Sequence, residues 1–251
     1  VPFAAFRGAD ALASITFPST VTSIGERAFA YTGFASFAWP ASVTEVPKAV
    51  FEYCASLTAV TGLGQVTSIL DYAFAGSAIA SLAWPAGTTA VPHDAFRNCT
   101  RLTSITGLNA VSSIGSDAFW RCTALSSISA GGFESLTYIG NSAFYSCRAL
   151  PSLTFPDTVT SIGSAAFGLT TSFTSFAWPA GTTRLQTSTF FKSGLTSITF
   201  PGTLTEVGSS AFTGTGLTSF VWPEGVATIC ARAPSPRISP RISPASPPHL
   251  P

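Results

Sequence analysis

The chain has 251 residues, 46% of them hydrophobic and only 9% charged, with a net charge of +1 and a positive mean hydropathy. Ordinary soluble domains carry about 25% charged residues, yet no apolar run approaches the roughly 18 residues that span a bilayer, and the richness in Phe, Ile, Leu and Val excludes disorder for the body. Arg232, Arg237 and Arg241 lie in the final stretch, so the remainder is nearly neutral and offers no field for a nucleic-acid backbone.

The chain opens on Val1-Pro2 and contains no Met, which reads as processing or trimming from a longer precursor. Self-similarity then dominates. A Phe, usually preceded by Ala, recurs at Phe6, Phe29, Phe51, Phe74, Phe96, Phe119, Phe144, Phe167, Phe190 and Phe212, at steps of 22 or 23 residues except for 25 between Phe119 and Phe144. A second phrase keeps the same step, from Leu12-Ala-Ser-Ile-Thr-Phe-Pro18 to Leu195-Thr-Ser-Ile-Thr-Phe-Pro201 and Leu217 to Pro223. Leu57, Leu102 and Leu125 open variants without the Pro.

The first, fourth and sixth places of that phrase are apolar, as in Leu12, Ile15 and Phe17, and the alternation of fourth and sixth is that of a strand. Ile24, Ala28 and Phe29 return to the interior on the far side. No single unit can bury its own apolar edge, so the repeats must stack into a solenoid.

With Val207-Gly208 and Ala211-Phe212 following Leu195 to Pro201, the repeat resembles the BspA-like, or Treponema-type, leucine-rich repeat over about residues 3 to 229. The resemblance implies a leucine-rich repeat solenoid in an arc or horseshoe. It would have a parallel concave sheet of about ten short strands and a convex side of loops and short helical turns. It also implies non-enzymatic binding at cell surfaces, often of host proteins in adhesion.

Trp39 and Trp84, then Trp178 and Trp222, fill the sixth place in alternate repeats, so the duplicated unit spans two repeats. The stretch near 125–140 breaks this pattern. Ser129-Ala130-Gly131-Gly132-Phe133 replaces the aromatic-Pro signature and adds two residues, which predicts a local distortion near Gly131 or a tolerated surface insertion.

Binding specificity must come from positions the repeat leaves free. The third and fifth strand places point away from the core and are plain throughout: Ser14 and Thr16, Ser36 and Ala38, Ser104 and Thr106, Ser127 and Ser129, and so on to Ser219 and Val221. None is charged or aromatic, whereas folded partners are usually gripped by Tyr, Trp or Arg. Ten strands at about 4.8 Å span about 43 Å, enough for an extended peptide or a narrow protein element. The column after the repeated Phe is more varied, with Trp120 and Tyr145 in it and Arg121 beside them. The contact surface is therefore placed at Trp120, Arg121 and Tyr145, with Ser104, Thr106, Ser127, Ser129 and Phe133 around them; the alternative is that the rings fold back as packing.

Cys54, Cys99, Cys122 and Cys147 share one place, three residues after the Phe, where Thr32, Ser77, Ser193 and Thr215 stand in other repeats. That is a slot for a small side chain, read as free buried thiols rather than a metal site, because four ligands in tetrahedral geometry are lacking. Catalysis needs a base, and only His93, in a turn beside Asp94, and His249 are present, without paired carboxylates or a phosphate loop. No catalytic, metal or cofactor residue is assigned.

Residues 230–251 form a Pro-, Ser- and Arg-rich tail suited to an extended chain, following the solenoid of 1–229. Three classes of function remain. The first is an exported, cell-surface or periplasmic protein-binding module used in attachment to host or matrix proteins. The second is a self-associating surface protein whose tail docks on a neighbouring chain. The third is an ice or lattice binder using its rows of Ser and Thr, weakened by Ala38, Ala83 and Ala177.

Overall fold

The alternation of each phrase is realised as a strand whose middle residue is buried and whose flanks face out. A computed structural model describes residues 1–128 and 132–230. Six such strands, and a two-residue one at Ser127–Ile128, form the first column: Ser36–Ala38, Ala59–Thr61, Ser81–Ala83, Ser104–Thr106, Ser175–Ala177 and Ser197–Thr199. Pairing is parallel and in register one repeat apart, for example Ser81↔Ser104, Leu82↔Ile105 and Ala83↔Thr106. Three expected strands do not form, at residues 14–16, 152–154 and 219–221.

The far side carries a feature that the sequence did not show, a second column of two-residue strands. It contains Glu45–Val46, Ser68–Ile69, Ala90–Val91, Ser113–Ile114, Tyr138–Ile139, Ser161–Ile162, Arg184–Leu185, Glu206–Val207 and Thr228–Ile229. The helical turns expected there reduce, among the described residues, to Leu63–Gln65. The rest is a run of tight turns around each repeated Phe.

Those turns have a definite logic. Residues two before, at and two after the Phe donate their N–H to the following coil: Asp117 to Asn141 at 2.9 Å, Phe119 to Ala143 at 2.8 Å and Arg121 to Tyr145 at 2.8 Å. Aiming alternate N–H groups along the axis requires alternate left-handed residues, and Asp117 (φ 55°) and Arg121 (φ 57°) adopt that conformation. The same pattern holds at Ala49 and Tyr53. Left-handed backbone in non-glycine residues is costly, and the inter-coil bonds offset it.

Inside the turns, the ten repeated Phe rings form one continuous stack. Successive centroids lie 5.2 to 6.0 Å apart, with interplanar angles no greater than 20°. From Phe29 to Phe190 every ring of this stack is fully buried, each contributing about 2–3 kcal/mol by burial. The alternation of Trp with Gly also has a packing reason. A Cβ on Gly62 would stand 2.7 Å from the Trp39 carbonyl, and one on Gly107 2.7 Å from that of Trp84. In these two pairs of coils the backbone approach leaves no room for a side chain after the Trp, whereas Trp178 is followed at the same place by Phe200.

The irregular repeat leaves the core intact. Tyr138 pairs with Ser113 on one side and Ser161 on the other, and Phe119 stacks on Phe144. The disturbance falls in the first column, where, among the described residues, Ser127–Ile128 pairs only with Ser104–Thr106. Ser129, Ala130 and Gly131 lie outside the described residues, as does the tail from Ala231 to Pro251 with its expected docking.

Candidate binding surface

Two features adjoin on the surface of the middle coils, a cleft in the first column and a charged aromatic corner leading into it. The cleft arises because residues 152–154 form no strand. Among the described residues they make no backbone-to-backbone hydrogen bond to either neighbouring coil. The Ser152 hydroxyl substitutes in part, accepting the N–H of Thr174 at 3.2 Å and of Ser175 at 2.9 Å. On the other side an open cleft of about 430 Å³ separates Ile128 from residues 152–156, and Phe133, Glu134 and Phe155 line it. A smaller one of about 250 Å³ lies between residues 152–154 and Phe176 and Ile198.

Of the expected contact residues on this face, Thr106 and Ser127 are exposed and Ser104 is half-buried. Ser129 lies outside the described residues. Phe133 lies deeper. It is 3% exposed and stacks on Phe155 at 5.4 Å, so it is core and cleft wall rather than a projecting anchor. Phe155 holds the sixth place of its own phrase, and in the previous, lengthened coil Phe133 takes that role. The Leu-to-Phe spacing alone did not reveal the substitution.

The corner is built on the turn ladder. Arg97 Nη1 binds Asp94 Oδ1 at 2.9 Å and lies 3.9 Å from Asp117 Oδ2. The Tyr72 hydroxyl is bonded to Asp94 as well, which raises its pKa, and the Asp94 hydrogen bond is the main reason the Arg97 pKa also rises. Asp94, in the turn that holds His93, is 7% exposed. His93 beside it has a structural role: its ring Nδ1 accepts the Ser116 backbone N–H at 2.9 Å and its own backbone N–H donates to Asp71 Oδ1 at 3.1 Å. Asn141 repeats the arrangement by accepting the Ser164 N–H at 2.8 Å.

Trp120 is half-buried with two guanidinium groups against its ring, Arg97 at 4.4 Å and Arg121 at 4.5 Å from the centroid. Such contacts hold a ring at the surface without burying it. Tyr145 is directed elsewhere. A Cβ on Gly168 would stand 2.7 Å from two of its ring atoms, so the ring lies over the next coil as packing, and it makes no ring contact with Trp120. The structure thus brings Trp120 and Arg121 together and sets Tyr145 apart. Sequence reasoning passed over Arg101 and Arg148, both exposed. Their one-residue offset in the repeat hid their alignment.

The shared cysteine place proves more demanding than a small slot. Each buried thiol donates to the carbonyl of the ladder Phe one coil back: Cys54 to Phe29, Cys99 to Phe74, Cys122 to Phe96 and Cys147 to Phe119, all at 3.0 Å. Where Thr stands instead, its hydroxyl serves a Phe carbonyl in its own coil, as Thr32 does to Phe29 at 2.8 Å. Burial pushes the Cys99 thiol up to about 12 and raises Cys54, Cys122 and Cys147 as well. All four are free and buried, while Cys230 is exposed. Among the described residues no group of three or more His, Cys, Asp or Glu side chains could hold a metal ion, and no helix is long and apolar enough to cross a membrane.

Stacked parallel strands at a 22- or 23-residue step, with a stacked Phe in every coil that is fully buried from Phe29 to Phe190, define a leucine-rich repeat solenoid. The chain belongs to the BspA type Leucine rich repeat region (6 copies) family, which it matches over residues 1–103, 67–167 and 112–234. No curated protein sequence matches it. Among solved structures it is similar to a leucine-rich repeat protein of Bacteroides ovatus, at 21% identity over 91% of this chain and 76% of that one, with a TM-score of 0.61. It is similar to the Leucine Rich Repeat protein of T. pallidum at 25% identity over 72% and 76%, with a TM-score of 0.52. A leucine rich cell surface protein of Faecalibacterium prausnitzii gives 24% identity over 90% and 74%, with a TM-score of 0.51.

Proposed function

We propose that the chain is a protein-binding module of an exported or cell-surface protein, used in attachment, and that it holds an extended segment of a partner protein in the cleft between Ile128 and residues 152–156. The observation that carries this reading is the interrupted strand column. Among the described residues the backbone of 152–154 has no inter-coil hydrogen-bond partner, and it stands beside an apolar floor of Phe133 and Phe155. A segment entering there as an added strand would gain main-chain hydrogen bonds, and the floor would receive one of its side chains. The small outward residues Thr106 and Ser127 allow its backbone to approach. Membership of a repeat family built for binding and the cell-surface description of the F. prausnitzii protein support the exported setting.

The test is binding to immobilised extracellular-matrix proteins by wild type and by Ser127→Arg and Thr154→Arg, which fill the cleft from exposed positions. Loss of binding at unchanged melting temperature is expected. Full binding by both variants would exclude the cleft.

A further inference from the structure

The basic residues of the described chain are unevenly placed. Arg27 pairs with Glu52, Arg97 with Asp94 and Asp117, and Arg184 with Glu206. Arg101, Arg121 and Arg148 are exposed and, among the described residues, have no carboxylate within ion-pairing distance. They fall in three successive coils aligned by the thiol column, since Cys122 bonds to the Phe96 coil and Cys147 to the Phe119 coil. Arg101 follows Cys99 by two residues, Arg148 follows Cys147 by one, and Arg121 precedes Cys122. With coils about 4.8 Å apart, Arg101 and Arg148 are separated by about 10 Å along the axis, with Arg121 between them. The one nearby guanidinium that is neutralised, Arg97, lies against Trp120. The corner therefore presents a local positive field on a body that is otherwise close to neutral.

This corner leads directly into the cleft. Arg148 is four residues before Ser152 and Arg101 three before Ser104, which keeps each arginine within about 10–14 Å of its strand position along the chain. We infer that the Arg101, Arg121 and Arg148 corner receives carboxylates of the bound protein segment, placed about four residues along from the apolar side chain that fills the cleft. The inference rests on the cleft reading above and adds the chemistry of the occupant. Guanidinium groups favour carboxylates through paired N–H donors, and Arg121, already held against Trp120, loses less freedom on binding. The segment is thus acidic at one end and apolar near the other.

The test selects a random-peptide library on the wild-type protein, then measures the recovered peptides against the Arg101→Gln/Arg121→Gln/Arg148→Gln variant and against Thr154→Arg. All three arginines are exposed, so the variant should melt with wild type. Enrichment of Asp or Glu about four residues from an apolar residue is expected, with affinity lowered about tenfold or more in the Gln variant and falling as salt is raised. Peptides that lose binding in Thr154→Arg yet show no acidic enrichment and bind the Gln variant equally would overturn this inference and leave the cleft reading standing. Failure to recover any peptide dependent on Thr154 would overturn both. Heparin bound through the three arginines, with no acidic peptide recovered, would assign the corner to a sulfated glycan and overturn the inference.

Discussion

Phe119 and Phe144 stack with their centroids 5.2 Å apart and their planes within 6°, although the step between them is 25 residues instead of 22 or 23. The insertion is therefore absorbed entirely outside the Phe stack and the second strand column. Only the strand face yields, because a missing strand there exposes backbone to solvent, whereas a gap in the stack would leave an empty cavity in a close-packed core.

Replacement of Phe119 by Ala should be among the most damaging single changes. The ring is fully buried between Phe96 and Phe144, and a loss of about 3–5 kcal/mol is expected in urea unfolding. A loss below about 1 kcal/mol would show that neighbouring coils collapse onto the gap.

Gly62→Ala tests the Trp-to-Gly alternation. The new Cβ would meet the Trp39 carbonyl at 2.7 Å, and the residue sits at φ +81°. Clash and left-handed backbone together should cost about 2 kcal/mol or more, read as a lowered melting temperature. Gly64, with open space around it, is the control position and should tolerate Ala.

The thiols give both a reactivity and a pH prediction. In the native protein a thiol reagent should label Cys230 and spare Cys54, Cys99, Cys122 and Cys147 until denaturant is added. Burial raises those four above the ordinary value of 9.0, to about 12 for Cys99. The unfolded chain consequently releases protons first, and stability should fall as pH rises above about 9. Cys122→Ser should retain most stability by donating to Phe96, while Cys122→Ala should lose about 1 kcal/mol.

Asp117→Asn should stabilise the fold at neutral pH. Desolvation, helped by Asp94, raises the Asp117 carboxyl above the ordinary carboxylate range despite the opposing pull of Arg97. A raised acid favours the fold least where it is ionised, so the penalty appears as pH rises through the carboxylate range and persists above it. Asn tolerates the left-handed backbone at this position. A melting temperature lowered at pH 7 in the variant would mean that the contact with Arg97 outweighs desolvation.

Much of the fold was legible because a repeated sequence states its own neighbours. The ladder Phe, the outward Ser and Thr of the strands and the small place of the cysteines all follow from the 22- or 23-residue step. The candidate site was less legible. Trp120 and Arg121 could be singled out because they depart from their columns, yet Phe133 looked like an extra surface aromatic when it is the displaced core residue of its coil. Asp94 looked solvated because Arg97 and Tyr72 close over it only in the folded stack, while His93 is exposed as its turn suggested and bonds to Ser116 and Asp71 of the two neighbouring coils.

By itself the sequence determined the path within each coil, since side-chain alternation and the recurring Phe fix which residues turn inward over any 22 or 23 positions. Only the tertiary structure decided what happens between coils. The left-handed turn residues at Asp117 and Arg121 exist to aim N–H groups at the next coil, and the loss of pairing at 152–154 follows from where the added residues could be accommodated at least cost. Alignment of Arg101, Arg121 and Arg148 likewise depends on coil-to-coil register, which is set by backbone hydrogen bonds and ring stacking that local residue patterns do not express.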